Sequence, residues 1–302
     1  MKKKQPLVSV NVLMYNSSKY ILETLESIKA QTYPNIELIM SDDKSTDNTV
    51  QICEKWISKN KDRFASYQIL VPDHNTGQSG NYNRAFRAAT GIWIKEIDGD
   101  DLLLPNCLTD LMEFVDANPE AMYVFGKMRC FIKKNKKCSK QYAVDYAFFK
   151  KNIYEQIDQL LFEGNCLHSP CSFYNRQYML DIDFSCDERI PNLEDMPKWI
   201  NLLRKNVHFF LLDKDIVSYR LGSGISTQNW PSPLYYKNLA LFRRYYQYPA
   251  WLEKGVDYVF KRITDQEIQT YNQRFKNVQI LIKILHFFPI NIFYKILLLL
   301  KK

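Results

Sequence analysis

The alternation of short apolar, β-branched runs with helix-periodic segments over residues 1–101 restricts the fold of this chain more than any other feature. Residues 7–13, 36–40, 67–71 and 92–97 read as buried strands. Between the first two, residues 20–31 set Ile21, Leu22, Leu25 and Ile28 at helical spacing. Asp47 and Asn48 are expected to cap a helix through Val50, Ile52 and Trp56, and residues 81–89 to form another, closed by Thr90-Gly91. Strands separated by helices imply a parallel sheet covered on both faces. Ligands of such sheets bind beyond the carboxyl ends of the strands. Those ends carry Tyr15-Asn16, Asp42-Asp43, His74-Asn75 and Asp98-Gly99-Asp100-Asp101, so acidic and amide side chains should converge on one edge.

The pattern loosens after about residue 120. Strands are expected over 123–132, 171–174 and 207–213, and helices over 153–162 and 194–203, the latter with Pro197 in its first turn. Residues 133–140 read as a charged, solvated turn. The net charge of +8 gathers at the termini, in Lys2-Lys3-Lys4 and in a stretch from Thr270 without Asp or Glu. No nucleic-acid motif accompanies it, so no nucleic-acid partner is expected. The seven cysteines are odd in number, scattered and free of a C-x-x-C, which argues against a disulfide framework and a zinc site. The basic start leads straight into a strand-like run, so a cytoplasmic protein without a secretory leader is expected.

Asp98-Gly99-Asp100-Asp101 is where chemistry is most expected. Carboxylates crowded at a strand end repel one another unless a positive charge joins them. A hard divalent cation shared with substrate phosphates would offset that repulsion. Gly99 permits a sharp turn or a close approach. A solvated acidic turn is the competing reading, and the run alone does not decide between them.

Its neighbours do. Val8-Ser9-Val10, Tyr15-Asn16 and Ile28-x-x-Gln31-Thr32-Tyr33-Pro34 come first, followed by Asp42-Asp43-Lys44-Ser45-Thr46-Asp47. Asn75-x-Gly77, Asn83, Ala89-x-Gly91, Trp93-Ile94 and the acidic run with Pro105 complete the order. This series resembles glycosyltransferase family 2, inverting enzymes of the GT-A fold common in bacterial surface-polysaccharide assembly. The resemblance implies an α/β, Rossmann-like, mostly parallel central sheet flanked by helices, with a helical C-terminal extension. It implies a nucleotide-sugar donor, a UDP-sugar before others. Asp43 would bind the base or ribose, Tyr15 would lie against the base, Leu13 would offer main-chain contacts, and Asn75 would join the donor edge. Asp98 and Asp100 would form the D-x-D motif and hold Mn2+ or Mg2+, with Asp100 the more direct ligand and Asp98 also on the donor. Glu194-Asp195 resembles the family's E-D motif, making Asp195 the candidate base for the acceptor hydroxyl. A cap on the following helix is its alternative.

Several positions depart from the family pattern. Lys44 stands where Gly often follows the paired aspartates, which makes a left-handed turn there unexpected. The usual A-R-N triplet is Asn81-Tyr82-Asn83, so its Arg is missing. Arg84 and Arg87 are expected on a solvent-facing helix surface rather than as substitutes. Residues 219–226 resemble a late family loop, but Gly222 lies near the position of a frequent His, so a third protein ligand to the metal is not expected there. Arg220 is assigned to the donor diphosphate, with a structural ion pair as the alternative. His168, Cys166 and Cys171 read as structural.

Residues 278–300 are strongly apolar but interrupted by Lys283, His286, Pro289, Asn291 and Lys295, so no span of the bilayer is expected. An amphipathic segment at a membrane surface fits them better, with a packed or dimerising helical pair as the alternative. Residues 1–230 are therefore expected to form the catalytic domain, with 1–118 binding the donor and 119–230 the acceptor, and 231–302 a helical extension. The function expected is hexosyl transfer to a glycan acceptor, lipid-linked, at the inner face of the cell membrane, with oligomerisation left open. A nucleotidyltransferase would need a Gly-rich basic phosphate loop after the first strand, which Tyr15-Asn16-Ser17-Ser18 is not. A degenerate, non-catalytic family member remains the alternative.

Overall fold

The computed structural model describes residues 5–133, 136–137, 144–222, 233–259 and 261–262. Two compact units are distinguished, Met1–Tyr246 and Gln247–Lys302. Among the described residues, the second begins with a short helix, α10 (Tyr248–Glu253). The expected membrane-surface segment at 278–300 lies outside the described residues. No described helix is long and apolar enough to cross a membrane.

The first unit begins with β1 (Val8–Met14), α1 (Ile21–Lys29), β2 (Ile36–Asp42), α2 (Thr49–Asn60), β3 (Ser66–Leu70), α3 (Gly77–Ala88) and β4 (Trp93–Asp98). These are the expected strands and helices, with ends displaced by a few residues. β2 pairs with β1 and β3, and β1 with β4, all parallel and without a register shift. β1 and β2 are buried on both faces nearly throughout, as strands covered by helices on either side must be.

Next come β5 (Leu102–Leu103), α4 (Cys107–Ala117), β6 (Tyr123–Lys133), β7 (Lys136–Lys137), α5 (Tyr146–Lys150), α6 (Ile153–Phe162), β8 (Ser172–Asn175), α7 (Arg176–Asp181), α8 (Asp195–Arg204), β9 (Phe209–Arg220) and α9 (Pro233–Phe242). The sheet order is β3-β2-β1-β4-β8-β6-β9-β5, with β7 attached to β6. β8 is antiparallel to both β4 and β6, and β6 is parallel to β9. β1, β2, β3, β4, β6 and β9 therefore share one direction, and the sheet is mostly parallel.

β5 and β7 were not expected, β7 lying within residues 133–140, read as a charged turn, and β9 is longer than expected. Residues 207–213 were expected to hold the last strand. β9 instead runs on to Arg220. Phe125 pairs with Leu211 and Lys127 with Asp215, so the intervening residues of β9 bulge out of the ladder. The bulge keeps the charged side chains of Asp213, Lys214 and Asp215 exposed while the strand continues. Its continuation brings Arg220 to the acidic run.

Candidate active site

The donor edge is assembled where β1, β2 and β4 end. Asp43 follows β2, and its backbone N–H donates to the Met14 carbonyl at 2.8 Å. Its carboxylate is almost fully buried, at 3 % exposure. Oδ1 accepts from Thr76 N at 2.9 Å, Thr76 Oγ1 at 2.6 Å and Arg84 Nη2 at 3.1 Å, and Oδ2 accepts from Gly77 N at 2.7 Å. An anion receiving the first N–H groups of α3 stabilises that helix start. This explains why α3 begins before the expected residue 81. Asn75 is exposed beside it, and its Nδ2 donates to the Asp43 carbonyl at 2.8 Å. Tyr15 is half exposed at 50 % on the same edge.

Two expectations about this edge are corrected. Lys44 does adopt the left-handed conformation, with φ of 65°. Asp42 Oδ1 accepts from Ser45 N at 2.7 Å, closing a side-chain turn around Lys44, while the lysine side chain stays in solvent. Arg84 is not on a solvent face. Besides Asp43, it donates to the Asp42 carbonyl at 3.0 Å, Asn81 Oδ1 at 3.0 Å and Thr76 Oγ1 at 2.7 Å. It fastens α3 to the end of β2, whereas Arg87 is exposed as expected.

The acidic run turns tightly at the end of β4. Gly99 N donates to the Leu13 carbonyl at 2.9 Å, and Asp101 N to the Asp98 carbonyl at 3.1 Å. A Cβ on Gly99 would stand 2.8 Å from Ser17 Oγ, so close approach to the β1–α1 loop is the reason for glycine here. Asp101, unassigned from sequence, is buried, and its Oδ1 accepts from Arg220 N at 2.7 Å. Its Oδ2 is buried without a hydrogen-bond partner. Arg220 makes the structural ion pair that was the alternative to a diphosphate contact. It is only 4 % exposed, its Nε donates to the Asp100 carbonyl at 2.8 Å, and its Nη2 lies 3.2 Å from Glu23 Oε2. The guanidinium also packs against the rings of Tyr20 and Phe131, with centroids 4.2 and 4.5 Å away. It braces the acidic turn from behind.

Glu194 precedes α8 and Asp195 opens it. Asp195 Oδ2 accepts from Asn165 Nδ2 at 2.6 Å, and Oδ1 from Met196 N at 2.7 Å. Burial, then the charges of Asp100 and Glu194, push the Asp98 carboxyl well above the usual carboxylate range. Burial and the Glu194 charge push Asp195 up to about 7. Lys198 on α8 stands 3.5 Å from Glu96 on β4, so the head of α8 lies near the end of β4. Burial, with Asp100 and Asp98, raises Asp101 as well. Burial holds His168 down at about 4, so it is a neutral, structural histidine near pH 7. The described cysteines are all free thiols, and burial raises Cys53, Cys107, Cys166 and Cys171 to about 12. Cys138 and late-loop residues 223–226 lie outside the described residues.

Asp98 and Asp100 suit a divalent cation by donor chemistry. They are oxygen ligands whose mutual repulsion a cation would relieve. No cluster of three or more His, Cys, Asp or Glu side chains arranged for a metal occurs among the described residues. Two carboxylates completed by substrate phosphates is an arrangement that Mg2+ commonly uses.

Over residues 9–182 the sequence matches the family described as Glycosyl transferase family 2. The chain belongs to glycosyltransferase family 2. Among curated relatives, it is 32 % identical over 138 residues to the GalNAc(5)-diNAcBac-PP-undecaprenol beta-1,3-glucosyltransferase of Campylobacter jejuni, covering 46 % of this chain and 42 % of that enzyme. The chain spans less than half the length of this and comparable curated relatives. Among solved structures, TarS 1-349 of S. aureus in complex with UDP-GlcNAc superposes with a TM-score of 0.56 at 23 % identity, covering 78 % of this chain and 65 % of that one. The mannosyltransferase PcManGT of Pyrobaculum calidifontis, in complex with GDP-Man and Mn2+, gives a TM-score of 0.51 at 17 % identity, covering 72 % and 58 %. At these identities the likeness is one of fold, and it establishes the GT-A architecture of this family 2 chain.

The family resemblance made the carboxylates of the edge legible from sequence. Arg84 was expected on a solvent face, and Thr76, Glu96 and Lys198 were missed. A signal for the last two existed, because each is a charge set among the apolar residues of its element.

Proposed function

We propose that this chain is an inverting, metal-dependent glycosyltransferase. It moves a sugar from a nucleotide-sugar donor, a UDP-sugar first, to a hydroxyl of a lipid-linked glycan in surface-polysaccharide synthesis. One observation carries the reading. Glu96 and Lys198, two residues before Asp98 and three after Asp195, meet at 3.5 Å, so the candidate metal-binding carboxylates and the candidate base come from neighbouring element ends. Tyr15, Asp43, Asn75 and the Leu13 backbone hold the nucleoside end of the donor. Asp98 and Asp100 would hold Mn2+ or Mg2+, which would supply Lewis-acid neutralisation of the departing diphosphate. Asp195 takes the proton of the acceptor hydroxyl as that oxygen bonds to the anomeric carbon and the glycosyl–phosphate bond breaks. Asn165 fixes the carboxyl in place.

The donor and acceptor classes have support from relatives rather than from this chain's own contacts. The Campylobacter enzyme is named for an undecaprenol-linked acceptor and TarS 1-349 is solved with UDP-GlcNAc. Nucleotide release from a panel of UDP-, GDP- and dTDP-sugars, with Mn2+ and a polyprenyl-diphosphate glycan, tests the reading directly. Acceptor-dependent release with one donor supports it. Donor binding without release under any condition would instead identify a degenerate member. Residues 278–300 are proposed to lie at a membrane surface beside such an acceptor. Co-sedimentation with anionic liposomes should fall on truncation near residue 277, and unchanged sedimentation refutes the idea.

A further inference from the structure

An ion pair lies inside the core, beneath the proposed site and out of reach of any substrate. Lys198 on α8 is 0 % exposed. Its Nζ stands 3.5 Å from Glu96 Oε2 on β4 and donates to Ser169 Oγ at 2.7 Å. It also lies 4.3 Å from the ring centroid of Tyr82 and 4.5 Å from that of Trp199. Glu96 accepts from Tyr174 Oη at 2.6 Å and from Ser172 Oγ at 3.4 Å, and Tyr174 Oη is 2.9 Å from Tyr82 Oη. Burial alone would drive the Lys198 ammonium down, but neighbouring negative groups, Glu96 foremost, hold it above its usual value. The Lys198 ammonium therefore stays charged, and its contact with Glu96 joins the strand of the acidic run to the helix of the candidate base.

Its location along those elements is informative. Glu96 comes two residues before Asp98, and Lys198 three residues after Asp195, one turn along the same face of α8. Stability does not explain it. Desolvating two charges offsets their attraction, and well-packed apolar side chains in their place are often as stable or more so. Trp199, Leu202 and Leu203 already give α8 an apolar packing face. An ion pair with several hydrogen bonds adds a fixed register, which apolar contact defines less sharply.

We propose that Glu96 and Lys198 are a positioning pair for sugar transfer. They lock the register of α8 against β4, so that Asp195 faces the sugar held at Asp98 and Asp100. The inference rests on the reading of Asp195 as the base.

The test is the double variant Glu96→Leu/Lys198→Met, which removes both charges and leaves apolar volume. Tm, Mn2+-dependent UDP affinity by calorimetry, donor KM and kcat are measured. Tm at or above the wild-type value, unchanged UDP affinity and donor KM, and kcat lower by about 10- to 100-fold are expected. The single variant Lys198→Met strands a buried carboxylate and should unfold at lower temperature or fail to fold. Wild-type kcat in the double variant overturns the proposal. So does a loss of UDP affinity and Tm in step with kcat, because it would make the pair's role structural only. Asp195→Asn is assayed alongside. If it is inactive while the double variant is normal, the pair inference alone fails. If it is fully active, the base assignment fails, and the purpose given to the pair fails with it.

Discussion

The two halves of the first unit build their share of the edge in different ways. From β1 to β4, side chains reach the edge because parallel strands end there. The backbone delivers them, and the ladders run without a shift. From β6 to β9, the ladder is interrupted and β8 runs antiparallel to its neighbours. Here site residues are placed by side-chain ties to the first half: Arg220 to Asp100 and Asp101, and Lys198 to Glu96. Topology places the candidate donor groups, and long-range polar contacts tie down the helix of the candidate base and the brace.

The comparison can be broken hardest at the acidic run. Asp100→Ala should lower transfer by about 10^3-fold or more while the far-UV and near-UV circular dichroism stay unchanged. Retained activity would remove the metal from the proposal. Asp195→Asn should cost about 10^2- to 10^4-fold in kcat and leave UDP affinity intact. In the unaltered protein the base works only when deprotonated. Because its pKa is raised to about 7, kcat should rise with pH through that value and fall away below it. A flat profile from pH 5.5 to 8.5 contradicts the assignment.

The brace comes next. Arg220→Ala removes a buried cation from Asp101 and Glu23 and should cost about 3 kcal/mol in urea unfolding. UDP affinity should weaken with it, since the acidic turn loses its support. A normal affinity would show that the first half holds the turn by itself, which sharpens the contrast in its favour. A smaller effect concerns pH and metal. Asp98 and Asp101 have raised pKa values in the folded state, so their contribution is most favourable when protonated and is lost as pH rises through those values. Mn2+ should therefore raise Tm more at pH 8 than at pH 6, and an equal shift at both would count against carboxylate ligation. The smallest change is at Lys44. Its left-handed backbone disfavours a side chain, so Lys44→Gly should stabilise the fold by about 0.5 kcal/mol without altering activity.

The same contrast explains what the sequence disclosed. The strands of the first half are short apolar runs, and the carboxylates directly after them could be placed on the edge by local pattern and family resemblance. Arg84 could not, because Asp42 and Asp43 among its acceptors belong to another element and helix periodicity leaves it among polar neighbours. The reach of β9 to Arg220 was missed because the charges of 213–215 resemble a strand end, while a bulge carries the strand past them. Glu96 and Lys198 stand 102 residues apart, and only the folded chain shows that each answers the other's charge.

The loops that follow β1 and β2 are already joined to each other. Asn16, itself left-handed at φ of 51°, donates its N–H to Ser45 Oγ at 2.8 Å and accepts from Thr46 N at 2.8 Å. Ser17 N donates to Thr49 Oγ1 at 2.8 Å. A nucleotide arriving at this seam meets a surface whose ordering entropy was spent during folding. Its association should then resemble a key entering a cut lock: a small heat-capacity change, little loop rearrangement, and discrimination between bases by shape rather than by induced closure.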